Sequence, residues 1–158
     1  MKFKYSSLLQ MNSNRRSIWT DRLKYKMRIE VDQANNSIVY CTDEGKQSGT
    51  IILMHGLGDS ADGLSDIAES ISNTAPHLKI ILPTASSRPV TLNGGMRMNA
   101  WYDIVGLDDR SAESVEGIKS SVDRIQSLIS SENANGIPCS RIILAGFSQV
   151  LIFSFISA

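Results

Sequence analysis

Apolar positions along this chain follow two alternating rhythms. Thr50-Ile51-Ile52-Leu53-Met54, Leu78-Lys79-Ile80-Ile81-Leu82 and Arg141-Ile142-Ile143-Leu144-Ala145 are short, nearly continuous apolar runs bounded by glycine or proline. Such runs read as strands covered on both faces. Met27–Val31 and Ser37–Cys41 read as two shorter, earlier strands joined by the turn-forming Ala34-Asn35-Asn36. Leu64, Ile67, Ala68 and Ile71 are spaced i, i+3, i+4, i+7 and predict an amphipathic helix, with Asp59 or Ser60 as its cap and Pro76 beyond its end. A longer stripe of Val115, Ile118, Val122, Ile125, Leu128 and Ile129 predicts a second helix, ended by Gly136 as the C′ residue and Pro138 after it. Thr84 to Asp109 shows no period and holds Pro89, Gly94, Gly95 and Gly106, as a functional loop does. Strands alternating with helices imply an α/β fold with a doubly wound, mostly parallel sheet.

Charge changes the picture at the amino end. The chain has 158 residues and a formal net charge of zero, enough length for one domain with a real core. Residues 1–28 nevertheless hold eight Lys and Arg against Asp21 alone, leaving an acidic body. A basic head on an acidic body points to a targeting or membrane-surface segment, and away from a nucleic-acid partner. Residues 1–28 therefore read as a basic N-terminal extension. It is either a solvated, untidy one or a mitochondrial presequence; a cytoplasmic location is the simpler expectation. Cys41 and Cys139 fit no metal spacing and no disulfide framework, which favours a reducing compartment and no metal. No apolar run approaches the ~18–20 residues of a membrane span.

The chemistry follows the third buried run. Gly146-Phe147-Ser148-Gln149-Val150 matches four positions of G-x-S-x-G, the elbow that holds a nucleophilic serine on a strained strand-to-helix turn. Alone the motif is weak; directly after a buried strand in a βα series it makes Ser148 the candidate nucleophile of an α/β-hydrolase. His55-Gly56-Leu57-Gly58-Asp59 follows the first buried run, where this fold supplies one oxyanion-hole N–H, the other coming from the residue after the nucleophile. Leu57 and Gln149 are thus the oxyanion-hole candidates, through their amides. His55 is expected to orient its loop, because the catalytic histidine of this fold follows the serine in chain order.

Further blocks occur in a set order: Leu82-Pro-Thr-Ala85, Arg88-Pro-Val-Thr-Leu-Asn-Gly-Gly-Met-Arg-Met98, Trp101-Tyr-Asp-Ile104, Gly117-Ile118 and Asn135-Gly-Ile-Pro138. With His55–Asp59 and Arg141–Gln149, they resemble the acyl-protein thioesterase and lysophospholipase branch of the phospholipase/carboxylesterase family, from about Ser37 to Gln149. The resemblance implies an α/β-hydrolase with Ser148 as nucleophile and Leu57 and Gln149 as oxyanion donors. It also implies a Pro83–Trp101 loop bordering an acyl-chain channel, with Trp101 contacting substrate. The implied reaction is hydrolysis of palmitoyl thioesters on protein cysteines, with some action on lysophospholipid esters. No cofactor is implied, and peripheral membrane contact fits such substrates.

Two departures qualify that expectation. Val150 stands where the family has glycine, and its branched Cβ is expected to crowd the turn at a cost of ~1–3 kcal/mol, enough to turn the serine out of register. Downstream of Ser148 there is no Asp, Glu or His, whereas the triad order is Ser, then acid, then His. Residues 29–158 are therefore expected to be a partial α/β-hydrolase domain, inactive by itself, with an unprotected sheet edge at Ile142–Leu144. The abrupt change after Gln149 is what an exon boundary, a gene-model artefact or an alternative transcript leaves. The alternative is a non-catalytic chain that binds acylated proteins or lipids.

Overall fold

The computed structural model describes residues 27–42, 47–106 and 115–150. All but the last two residues of the basic extension lie outside that range, as does the apolar tail after Val150. Five strands form the main sheet: β1 (Arg28–Asp32), β2 (Ser37–Cys41), β3 (Gly49–Met54), β4 (Leu78–Pro83) and β7 (Ile142–Gly146). Their order across the sheet is β1-β2-β4-β3-β7. β3 pairs in parallel with both β4 and β7, while β1 and β2 join antiparallel at one side.

Helices α1 (Ser65–Thr74) and α2 (Val115–Ala134) cover opposite faces, because the strands alternate their apolar side chains. Tyr40, Leu53, Ile80 and Leu82 pack with Leu64 and Ala68 on the α1 side. Val39, Ile52, Met54 and Ile81 pack with Ile125 and Leu128 of α2 on the other. This is the doubly wound arrangement that the apolar rhythm predicts. One buried ion pair stitches it at the amino ends of the parallel strands. Glu132 of α2 accepts from Lys79 Nζ at 2.5 Å and from Thr50 Oγ1 at 2.6 Å.

The end of α2 follows the expected glycine signal. Gly136 takes φ +90°, Ile137 N–H reaches back to Glu132 O at 3.0 Å, and Gly136 N–H to Asn133 O at 3.0 Å. That pair of bonds is a Schellman stop. The start of α1 differs from expectation. A 3-10 turn, Asp62–Leu64, precedes it and no side chain caps it. Asp59 accepts from the Ser60 N–H at 2.8 Å instead, and the Ala61 N–H is taken by Thr84 Oγ1 at 3.0 Å.

The described part of the Thr84–Asp109 stretch, residues 84–106, is also more regular than its lack of period implies. It contains an antiparallel ribbon of β5 (Ser87–Val90) and β6 (Met96–Asn99), tipped by Gly94 and Gly95 at φ +65° and +81°. A two-stranded ribbon that buries little has no need of period-two alternation, and Pro89 within β5 argues against a strand in sequence. Among the described residues β7 pairs only with β3, and Ile143 on it is 57% exposed, as expected of an uncovered edge.

Candidate active site

The site lies at the carboxyl ends of β3 and β7, where open α/β sheets place their ligand crevice. The chain leaves β7 through Gly146 and Phe147 and turns sharply at Ser148, whose φ is +53°. A non-glycine residue there is strained by about 1–2 kcal/mol, the signature of a nucleophile elbow. Ser148 is exposed while its neighbour Gln149 is buried. The Phe147 N–H donates to Met54 O at 3.3 Å, tying the elbow to the end of β3.

Val150 does not displace the serine. It is 3% exposed within the α2-side core, and its side chain occupies the space a Cβ on Gly146 would need, 2.5 Å from Cγ1 and 2.7 Å from Cβ. The branched residue fits because position 146 lacks a side chain. The expected crowding is relieved by that glycine, and the elbow keeps its register.

The loop after β3 runs beside the elbow. A Cβ on Gly56 would stand 3.6 Å from Ser148 Cβ, so the two segments pass with room for about one methyl group between them. Gly58 adopts φ +79°, and its N–H donates to Asn99 O at 2.8 Å, fastening the loop to β6. Among the described residues neither the Leu57 N–H nor the Gln149 N–H donates to any protein group. Each therefore retains a donor for an outside acceptor.

His55 faces inward. It is fully buried; Nε2 accepts from the Ala85 N–H at 2.9 Å, and Nδ1 lies 2.6 Å from Gly56 O. An Nε2 that accepts leaves the proton on Nδ1, which donates to that carbonyl. Burial holds its pKa below the usual histidine value and keeps the ring neutral. His55 thus shapes the loop, as sequence order implies. His77 precedes β4, at the opposite end of the parallel strands from Ser148.

Trp101, expected to contact substrate, is buried at 1% exposure. Its indole N–H donates to His55 O at 2.9 Å and its backbone N–H to Gln149 Oε1 at 3.0 Å. Ser121 Oγ donates to its carbonyl, and the Arg124 guanidinium lies 5.9 Å from its ring centroid. Trp101 is a hub behind the site, joining the His55 loop, the elbow and α2. The Gln149 amide completes the clamp by donating to Tyr102 O at 2.7 Å. Sequence reasoning assigns Gln149 a backbone role only; nothing in spacing or composition marks its side chain as a clamp. Asp103 is a further unflagged group. It accepts from Thr91 N and Oγ1, both at 2.7 Å, and these bonds hold its carboxyl below the usual range. Among the described residues no cluster of three or more His, Cys, Asp or Glu is placed to hold a metal.

Comparison with known proteins agrees with this geometry. A family model described as Phospholipase/Carboxylesterase matches residues 34–157. Acyl-protein thioesterase 1 of Schizosaccharomyces pombe is 48% identical over 102 residues, 65% of this chain and 45% of that protein. Acyl-protein thioesterase 1 of Mycosarcoma maydis is 44% identical over 115 residues, 66% of this chain and 48% of that protein. The crystal structure of Zea mays acyl-protein thioesterase 2 superposes with a TM-score of 0.60 at 32% identity, covering 72% of this chain and 46% of that one. The chain spans about half the length of the curated relatives it matches. With an elbow serine on the strand beside the His55–Asp59 loop and a family match over most of its length, the chain belongs to the phospholipase/carboxylesterase family of α/β-hydrolases.

Proposed function

We propose that Ser148 is the nucleophile of an acyl-protein thioesterase, acting on palmitoyl thioesters of protein cysteines and on the similar carbonyl of lysophospholipid esters. The observation that carries this reading is the strained, exposed Ser148 at the end of β7, beside a loop and an elbow residue whose N–H groups find no partner among the described residues. In the proposed reaction Ser148 Oγ attacks the acyl carbonyl carbon. The Leu57 and Gln149 amides receive the developing oxyanion, the cysteine thiol departs with a proton, and water releases the acid from the acyl-serine. Removing the serine proton requires a base. His55 has both ring nitrogens committed to backbone, and residues 149–158 contain no Asp, Glu or His. The reading therefore assigns the nucleophile and both oxyanion donors to this chain, and the base and its acid to a segment of the family's carboxyl half. A cytoplasmic site of action accords with such substrates.

A fluorophosphonate probe tests this directly. The 158-residue chain alone should label slowly, whereas a chimera continuing from Gln149 into the carboxyl half of the S. pombe relative should label and hydrolyse a palmitoyl thioester. Ser148→Ala should remove both activities. Labelling that survives Ser148→Ala would refute the nucleophile, and Ser148-dependent turnover by the unextended chain would refute the assignment of the base.

A further inference from the structure

Arg124 of α2 is a half-buried cation with no carboxylate at ion-pair distance among the described residues. Backbone holds its guanidinium instead. Nη1 donates to Thr84 O at 2.6 Å, Nη2 to Asn35 O and to Asn36 O at 3.4 Å, and the group lies over the Trp101 ring. The Thr84 carbonyl belongs to the same peptide group as the Ala85 N–H, which donates to His55 Nε2 at 2.9 Å. On the far side of the ring Nδ1 donates to Gly56 O at 2.6 Å, and that carbonyl shares its peptide with the Leu57 N–H. In a trans peptide the C=O and N–H point in opposite directions, so each unit accepts at one end and donates at the other. Every bond in this series runs the same way, from the Arg124 cation toward the loop beside Ser148.

We propose that Arg124 is a positioning residue for the reaction assigned to Ser148, acting on the Leu57 N–H through two peptide groups and the His55 ring. It rests on the reading of Leu57 as an oxyanion donor. Aligned hydrogen bonds polarise one another, and a bond from a charged donor is stronger than one between neutral groups. The cation at the head of the relay draws electron density from the Thr84–Ala85 peptide and sharpens the Ala85 donor. The ring, accepting more strongly at Nε2, becomes a better donor at Nδ1, and the Gly56–Leu57 peptide is polarised in turn. Its Leu57 N–H is the free end of the relay. Both the direction and the partial positive charge of that N–H are thereby set before an oxyanion forms. A carboxylate paired with Arg124 would cancel much of this field. The Trp101 indole braces the arrangement, its face over the guanidinium and its N–H on His55 O.

Nitrogen-15 NMR of the full chain tests the relay through the Ala85 N–H, the His55 ring nitrogens and the Leu57 amide nitrogen, which senses bonding at the Gly56 O of its own peptide. Arg124→Gln keeps a polar side chain and removes the charge. All of these signals should move toward the values of weaker hydrogen bonds, and the Ala85 amide should exchange about tenfold faster, as loss of one charge-assisted bond dictates. Burial is the main cause of the lowered His55 pKa; Arg124 adds to it and Asp59 opposes it, so the His55 titration midpoint should rise in Arg124→Gln. Arg124→Lys keeps a charged donor but loses the fork, so the same shifts should be present and smaller; it carries the test should Arg124→Gln fail to fold. Glu132→Leu, at the other end of the parallel strands, is the control: it lowers stability and should leave these signals in place. His55 and Leu57 signals unmoved in both Arg124 variants, or moved as far by Glu132→Leu, would overturn the relay. Failure of the Ser148 reading shows separately, as probe labelling that survives Ser148→Ala with these signals unchanged.

Discussion

Replacing Gln149 by leucine separates the clamp from the elbow that carries it. Leucine fills nearly the same space as the glutamine stem, so no large cavity opens, but both amide contacts disappear. The Trp101 N–H loses its acceptor at 3.0 Å and Tyr102 O its donor at 2.7 Å, in residues only 1% and 4% exposed. Stripping a partner from a buried polar group costs about 1–3 kcal/mol, so two groups set a range of about 2–6 kcal/mol. The elbow is exposed at Ser148 and able to relax, which favours the lower half, near 3 kcal/mol. For a domain of this size that corresponds to a melting temperature lower by about 6–12 °C. Thermal unfolding gives the magnitude, and amide hydrogen exchange locates it: the Trp101 N–H should lose protection before amides of β4. A melting temperature within about 1 °C of wild type, with the Trp101 amide still protected, would refute the clamp.

Other consequences follow from particular contacts. Ser148→Gly should raise stability by about 1 kcal/mol in chemical denaturation while abolishing probe labelling, because glycine adopts φ +53° without strain; an unchanged or lower stability would contradict the strained elbow. Burial lowers the His55 pKa in the folded chain, so the unfolded chain takes up the proton first as pH falls. Stability should then be full above about 6.5 and fall with decreasing pH toward the folded value, by at most ~1.4 kcal/mol per unit; the slope should vanish in His55→Gln if this residue is its source. Glu132→Leu leaves Lys79 without its carboxylate and Thr50 without its acceptor, a loss of about 3 kcal/mol. Lys79 keeps 20% side-chain exposure, which holds that figure at the low end, and Glu132→Gln should cost about 1 kcal/mol; equal urea midpoints for the two variants would argue against the ion pair.

The strands and helices of the sheet were legible because burial has a period. Ile51–Met54 and Ile80–Leu82 are apolar on consecutive positions since core lies on both faces of β3 and β4, and Ile142–Ala145 carries the same run although Ile143 on it is exposed. Gly136 marked the end of α2 because a left-handed residue must stand there. The β5–β6 ribbon was illegible for the converse reason: it covers little, so its side chains carry no alternation. The cap of α1 was misplaced because a serine or aspartate near a helix start advertises a cap without showing that an intervening 3-10 turn has moved the first α-helical residue on.

The sequence by itself determined the fold class, the family and the position of the elbow serine, since a motif of five adjacent residues following a buried run is local information. The tertiary structure decided what the neighbouring polar groups do. Trp101 bonds to His55 across 46 residues and to Gln149 across 48, and His55 to Ala85 across 30. No local pattern encodes partners at those distances. Whether an indole faces a substrate or a carbonyl, and whether an imidazole is a base or a brace, depends on which segments the sheet brings together. Here parallel pairing of β3 with β7 sets the His55 loop against the elbow, and the packing of α2 puts Ser121 and Arg124 behind Trp101. That long-range geometry makes Trp101 a hub and lets Val150 nest against Gly146.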